Sequence, residues 1–345
     1  MTNPAAGVRV VAGIDLGGTA INYTFLDQRG QFLIKGLCEH PARSVEGPDI
    51  CLAQIADGLA AAAAQSGVRL EDVVAIGLDT PGPASATGVL SRRGSTNFLH
   101  PQWAGYDIRA GLEKRLGRPV TYLNDGNAAA LWGHVAIFSS ENAATSVSAI
   151  IGTGLGGGVI TGGKVITGRN GFGGELGHVL IPYQQIPEID GLVPNCNCGR
   201  TGDLESLCSL TAIRRTLLPH FLAKQPDHEL GRDGDIAAAA KRVRGFAERG
   251  DDLCRRIFRV QARALGLFFD EMINVFDPDA LLVGGGAVET SDEFRAWFLD
   301  EIRAGMPTQR EEQAGIPIHV ISDGDTAGAR GAALDAARVA RERGL

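Results

Sequence analysis

Two periodicities alternate along the chain. Short apolar runs closed by Gly, Asp, Asn or Pro predict buried strands, and longer stretches with apolar residues three and four apart predict helices. The first run, residues 8–14, gives way to Asp15-Leu16-Gly17-Gly18-Thr19. A second, 21–26, turns at Asp27-Gln28-Arg29-Gly30 into a third over 31–37. An Ala-rich helix over 49–66 follows, then a strand over 73–78 that ends in Asp79-Thr80-Pro81-Gly82-Pro83. Residues 105–117 read as an amphipathic helix and 120–125 as a buried strand that runs into a helix from Gly126. The pattern then restarts. A strand over 146–151 ends in Gly152-Thr153-Gly154-Leu155-Gly156-Gly157-Gly158, returns over 159–161 and turns at Gly162-Gly163 into a strand over 164–167. Helices over 206–218, 234–249 and 252–275, a strand over 280–283 ending in Gly284-Gly285-Gly286, a helix over 292–303, a strand over 316–321 and a helix over 325–343 complete it. Each half reads as a hairpin with a Gly-rich first turn, a third strand, then alternating helices and strands. The topology is duplicated though the sequence is not, which predicts two α/β domains with a cleft between them.

Composition narrows the chemistry. The chain has 345 residues, 44% hydrophobic and 21% charged, in the range of a globular protein with room for two domains. Its net charge of −7 argues against a nucleic-acid groove. No apolar run approaches the ~20 residues of a membrane helix, and no secretory leader is legible, so a cytoplasmic location is expected. Six cysteines in a chain of this length do not make a disulfide scaffold; Cys196 and Cys198, two residues apart, require another explanation.

The turns point to a chemistry. A Gly-rich turn after a strand lets backbone amides approach phosphate oxygens, because no Cβ stands in the way. Asp15-Leu16-Gly17-Gly18-Thr19 and Gly152-Thr153-Gly154-Leu155-Gly156-Gly157-Gly158 both suit that role, one per half, and a pair of such turns forms the clamp that phosphoryl transfer needs. Neither has P-loop spacing, and a strand rather than a helix follows each. Asp15 is a candidate ligand for Mg²⁺, directly or through water. Asp125 lies where a buried strand ends, the place at which open α/β sheets bind ligands, and is placed to act as a base. Asp125 and Asn127 read equally as caps of the following helix.

With these motifs in view, the chain resembles the ROK family of sugar kinases and regulators, within the actin/hexokinase superfamily of duplicated ribonuclease H-like domains. The resemblance rests on the segments at 13–19, 79–83, 124–128, 152–158 and 173–178, on Asn97, and on Cys196-Asn197-Cys198-Gly199-Arg200-Thr201-Gly202-Asp203-Leu204-Glu205. It implies that Asp125 is the general base toward a sugar 6-hydroxyl, and that Gly82, Asn97, Asn124, Glu175, His178 and Glu205 bind the other hydroxyls. It also implies that Gly17, Gly18, Thr19, Thr153 and Gly154 surround the phosphates of ATP, and that Gly284, Gly285 and Gly286 lie near the adenosine. A structural Zn²⁺ would be held by His178 and the Cys pair. The boundaries it implies are 1–136 for a smaller domain, with a terminal helix at 325–345 packing back on it, and 137–324 for a larger one.

Three departures from the family pattern bear on these expectations. Asp203 stands where the family has its third Cys, so the fourth zinc ligand is Asp203, Cys208 or water, with Asp203 favoured by position. The stretch from His178 to Cys196 is longer than usual, and Ala20 replaces the common Lys or Asn. The first predicted strand starts too early to leave room for the helix-turn-helix of the family's repressors. The reading is therefore an ATP-dependent hexose 6-kinase, best matched to glucose. Fructose, mannose, an N-acetylated hexosamine, and polyphosphate as donor stay open. A sugar-binding regulator without turnover is the alternative of another class. The expected partners are sugar, nucleotide and further copies of the chain in a homodimer or larger homo-oligomer.

Overall fold

A computed structural model describes residues 9–92, 97–139, 143–232, 234–307, 310–313 and 315–345. The chain divides into two compact units. One comprises Met1–Ser140, Lys164–Gly174 and Ser322–Leu345; the other comprises Glu141–Gly163 and Glu175–Ile321.

The first unit contains β1 (Val10–Leu16), β2 (Ala20–Asp27), β3 (Glu39–Pro41), α1 (Pro48–Ser66), β4 (Val73–Thr80), α2 (Ile108–Leu116), β5 (Val120–Asn124) and α3 (Asp125–Phe138). Its sheet has the order β3-β2-β1-β4-β5. β1 and β2 form an antiparallel hairpin, and β4 and β5 add in parallel. The sheet that begins the second half contains β6 (Thr145–Ile151), β7 (Leu155–Thr161) and the two-residue edge strand β8 (Lys164–Val165), at which the chain leaves the second unit. The helical stretch that follows is α4 (Leu210–Ala212), a π-helical turn (Ile213–Leu217) and α5 (Leu218–Lys224). Next come α6 (Ile236–Glu248), α7 (Asp252–Phe276), β9 (Ala280–Gly285), α8 (Asp292–Ala304) and β10 (Ile318–Val320). This sheet has the order β10-β9-β6-β7-β8. In both, the strands of each half run third, second, first, fourth, fifth, so the duplication of topology expected from the sequence is present.

Several boundaries differ from the sequence reading, each for a local reason. The third strand of the first half is Glu39–Pro41, not 31–37. Phe32 makes one bridge to Leu26, and the Lys35 carbonyl accepts a hydrogen bond from Arg330 rather than from a strand. Only Gly152-Thr153-Gly154 form the second Gly-rich turn; residues 155–158 already belong to β7. Gly157 sits inside that strand because a Cβ there would lie 2.4 Å from the Ser148 carbonyl. The helix read from 206 begins at Leu210, with Ser209 as its cap. β1 extends to Leu16, and the expected start at Val8 lies outside the described residues.

The last helix, α9 (Gly324–Glu342), completes the first unit. It lies on glycine. Gly13 of β1 and Gly77 of β4 are register partners. A Cβ on Gly13 would fall 1.9 Å from the Ala329 carbonyl, and one on Gly77 would fall 1.9 Å from that of Ala332. On the helix itself, a Cβ on Gly331 would fall 1.8 Å from the Ala128 carbonyl of α3. Arg330, 7% exposed, pins the same helix. Its guanidinium lies 4.7 Å from the Trp132 ring centroid and 5.3 Å from that of Phe32, and it pairs with Asp323 at 2.8 Å. Helix propensity alone would make Gly331→Ala stabilising by about 1 kcal/mol. The backbone clash reverses the sign, and we expect destabilisation of about 3 kcal/mol. Denaturant unfolding of the variant checks this, and an unchanged or raised midpoint would refute the seat.

Candidate active site

Each unit brings together its own set of the residues singled out from the sequence. In the first, parallel β1, β4 and β5 end side by side, and each end carries a carboxylate. Asp15 is the penultimate residue of β1 and pairs in register with Asp79 of β4; Thr80 pairs with Asn124, and Asp125 follows directly. Asp125 is exposed, Asp15 partly buried and Asp79 fully buried. Burial pushes the Asp79 carboxyl well above the usual range, and the charges of Asp15 and Asp125 push it further. Asp15 is also raised by burial, with hydrogen bonding to Asp79 opposing. Apart from the Asp15 carboxyl, no donor among the described residues reaches either oxygen of Asp79. Sequence reasoning gave Asp79 no role. The signal it left was an acidic residue terminating an otherwise apolar strand.

The two readings of the 124–127 segment separate here. Asn124 is the N-cap of α3, its Oδ1 accepting the Gly126 N–H at 2.9 Å. Asn127 is not a cap: it is buried and donates to the Gly173 carbonyl at 3.0 Å. Asp125 is the first helical residue, with Oδ1 2.7 Å from the Gly126 nitrogen. The macrodipole at a helix N-terminus favours its charged form.

The Gly17-Gly18-Thr19 turn is closed by Gly17 N–H donating to the Ala20 carbonyl at 3.0 Å. Asn97 rests against it, so that a Cβ on Gly18 would fall 2.7 Å from the Asn97 Oδ1. Buried Ser44 ties the two together, its hydroxyl lying 2.9 Å from the Gly18 carbonyl and 3.1 Å from that of Asn97. Gly82 lies two residues beyond β4 and precedes a cis peptide bond to Pro83.

In the second unit the Gly152-Thr153-Gly154 turn is held from behind. Leu210 N–H donates to the Gly152 carbonyl at 3.0 Å, and the Thr211 N–H and hydroxyl both donate to that of Thr153. Glu205 closes its far end: Oε2 accepts the Leu155 N–H at 2.9 Å, and Oε1 lies 3.5 Å from the Cys196 sulfur. Glu175 stands nearby. Its carboxyl is raised by desolvation, with His178 opposing and Glu205 adding.

His178, Cys196, Cys198 and Asp203 converge, each offering one ligand atom within 4.8 Å of the others. His178 Nδ1 is 3.1 Å and Cys198 Sγ 3.3 Å from Asp203 Oδ2. Asp203 Oδ1 accepts the Ser206 N–H, which fixes the carboxylate from its other side. Cys208 is not a ligand candidate: it is buried and its thiol donates to the Gln261 carbonyl at 3.1 Å. A second group, His228, Asp251 and Cys254, is accounted for by capping. His228 Nδ1 accepts from Leu230 N–H, so Nε2 carries the proton toward Asp251, and neither nitrogen is left for a metal.

The Gly284–Gly286 run is explained in part by packing. Gly285 has φ +82°, and a Cβ there would fall 2.3 Å from the Ile151 carbonyl, which accepts the Gly286 N–H. Arg244 of α6, which sequence reasoning did not single out, donates to the Gly286 carbonyl at 2.8 Å.

The fold and these two clusters define a phosphotransferase of the actin/hexokinase type. Residues 11–338 match the ROK family. The chain is 30% identical over 311 residues to a glucokinase of Halalkalibacterium halodurans, covering 86% of this chain and 88% of that one. The ROK hexokinase of Thermus thermophilus superposes with a TM-score of 0.75 at 30% identity, covering 96% and 99% of the two chains. A ROK glucokinase of Streptomyces griseus, solved with glucose and AMPPNP, superposes with a TM-score of 0.70 at 27% identity over 95% and 99%. The chain belongs to the ROK family and is a sugar kinase.

The position of Glu205 sets different demands on the two glycines of its turn. A Cβ on Gly154 would lie 2.5 Å from Glu205 Oε2, whereas one on Gly152 meets nothing closer than 3.9 Å. Gly154→Ala should break the Leu155 bond and cost about 1–3 kcal/mol, while Gly152→Ala should be nearly neutral. Thermal unfolding of the pair checks this, and equal melting points would remove Glu205 from the turn.

Proposed function

We propose that this ATP-dependent sugar kinase phosphorylates a hexose at its 6-hydroxyl, with glucose the preferred substrate. The observation that carries the reading is Asp125: an exposed carboxylate at the end of a parallel strand and the start of a helix, in the same sheet as Asp15 with one strand between them. The substrates named for the similar proteins support glucose. ATP is an intracellular donor, which agrees with a cytoplasmic enzyme.

In this mechanism Asp125 accepts the proton of the sugar hydroxyl as its oxygen attacks the γ-phosphorus, and ADP leaves with the electron pair of the broken P–O bond. A carboxylate with an ordinary pKa near ~4 is a weak base. It suffices because phosphoryl transfer depends mainly on positioning and on charge stabilisation. The backbone amides of Gly17, Gly18, Thr19, Gly152, Thr153 and Gly154 serve the phosphates, and Gly284, Gly285 and Gly286 border the adenosine. Gly82, Asn97, Asn124, Glu175, His178 and Glu205 pair the remaining hydroxyls. Buried amides and carboxylates paired to a hydroxyl reject an analogue that lacks it. Asp15, a partly buried carboxylate at the end of β1, has the chemistry to hold Mg²⁺, which when bound would neutralise charge on the phosphates.

A coupled ADP-release assay over glucose, fructose, mannose and N-acetylglucosamine, with ATP and with polyphosphate, tests the reading. Turnover should be highest with glucose and ATP. Asp125→Asn should lower it by ~10²–10⁴-fold while glucose still binds. Sugar binding without turnover in the wild-type protein would make it a sugar-binding regulator instead.

The proposal extends to a structural Zn²⁺ on His178, Cys196, Cys198 and Asp203. The donor set fits: thiolate, imidazole and carboxylate are zinc ligands, and four are needed. Desolvation raises the Cys196 thiol in the absence of a cation, and a bound metal favours the thiolate instead. The expected zinc content is one per chain. Asp203→Asn keeps an acceptor for Ser206 but lowers zinc content, and it raises KM for sugar more than KM for ATP, because Glu205 touches Cys196. Metal analysis of chelator-free protein decides this, and full activity without zinc would defeat it.

A further inference from the structure

We propose that Asp79 joins Asp15 as a second carboxylate ligand for the divalent cation that accompanies the nucleotide. The inference rests on the kinase reading above and adds a residue to which that reading gives no part.

Three observations of the first unit carry it. The first is register. Asp15 and Asp79 are partners on adjacent parallel strands, two residues beyond the Gly13–Gly77 pair. With side chains alternating along a strand, both point to the face that α9 covers. Asp15 meets α9 directly, since a Cβ on Gly328 would fall 2.9 Å from its carboxylate. Both carboxylates also lie at strand carboxyl ends, where ligands of open sheets bind.

The second is burial without compensation. Asp79 is 0% exposed, and apart from the acidic Asp15 carboxyl no donor among the described residues meets either oxygen. An ionised carboxylate in such a place is strongly disfavoured unless something cationic or protic faces it. The groups that face Asp79 are the Asp15 and Asp125 carboxyls, and neither supplies positive charge.

The third is chemistry. Mg²⁺ and Mn²⁺ are hard cations bound by one or two carboxylates together with phosphate oxygens. A carboxylate on each of two neighbouring strands supplies that set. A purely structural polar residue at the end of β4 needs no acid, and Ser or Asn there would carry no charge to bury.

The experiment titrates the full-length protein with Mn²⁺, without nucleotide or sugar, following free Mn²⁺ by electron paramagnetic resonance. Wild type, Asp79→Asn, Asp79→Ser and Asp15→Asn are compared, and far-UV circular dichroism establishes that each is folded. The two Asp79 variants should weaken Mn²⁺ binding about tenfold or more, as should Asp15→Asn. Two variants of different size keep the test decisive if one misfolds. Unchanged Mn²⁺ affinity in a folded Asp79 variant overturns the proposal and leaves a pair of carboxyls sharing a proton inside the fold. Absence of Mn²⁺ binding by the wild-type protein overturns it as well. Neither result touches the kinase reading, which stands or falls on ADP release by the wild-type enzyme.

Discussion

The approach of α9 to the backbone of β1, β4 and α3 is the constraint on which the first unit depends. Ordinary helix-on-sheet packing keeps side chains between the layers. Here the carbonyls of Ala329 and Ala332 come down on Gly13 and Gly77, and Gly331 meets the carbonyl of Ala128. Three absent side chains therefore set the spacing of four elements. The carboxylates are placed by the same arrangement, Asp15 and Asp79 two residues beyond the glycine pair and Asp125 three before Ala128. The Arg330 clamp between Phe32 and Trp132 holds the helix from its other side.

In the second unit a single carboxylate performs the corresponding service. Glu205 bridges the Leu155 N–H and the Cys196 sulfur, so the Gly-rich turn and the cysteine loop share one acceptor. The arrangement links groups of different chemistry: a turn whose carbonyls are occupied by the start of α4, and a cluster in which burial raises the Cys196 thiol. Asp203 works on two sides in a similar way, one oxygen capping a helical turn and the other facing His178 and Cys198.

Much of this was legible in the sequence, and the parts that were not have physical causes. The duplicated order of elements followed from period and turn residues alone, and so did the strand-end placement of Asp15 and Asp125. The segment at 31–37 misled because its apolar residues serve a tertiary purpose: Phe32 stacks on Arg330, 298 residues away in sequence, which no local pattern records. The glycines at 155–158 looked like turn because glycine signals both a bend and a close approach, and Gly157 is the latter. Asp79 was passed over since its burial comes from α9, not from its own strand. The grouping of His178 with Asp203 came from the resemblance to the family pattern, whereas the exclusion of Cys208 required its partner, the Gln261 carbonyl.

The first unit is made of Met1–Ser140, the internal segment Lys164–Gly174 and Ser322–Leu345, with the second unit's residues inserted between. Synthesis proceeds from the N-terminus, so the second unit is complete before α9 leaves the ribosome. Until then β1 and β4 lack the helix for which Gly13 and Gly77 were left bare, and their apolar face has no cover. A chain cut short by its last two dozen residues loses the lid over the acidic strand ends rather than a dispensable tail. The order of completion thus runs opposite to the order of synthesis: the half begun first is finished later, and the acidic strand ends take their final form only once α9 has been made.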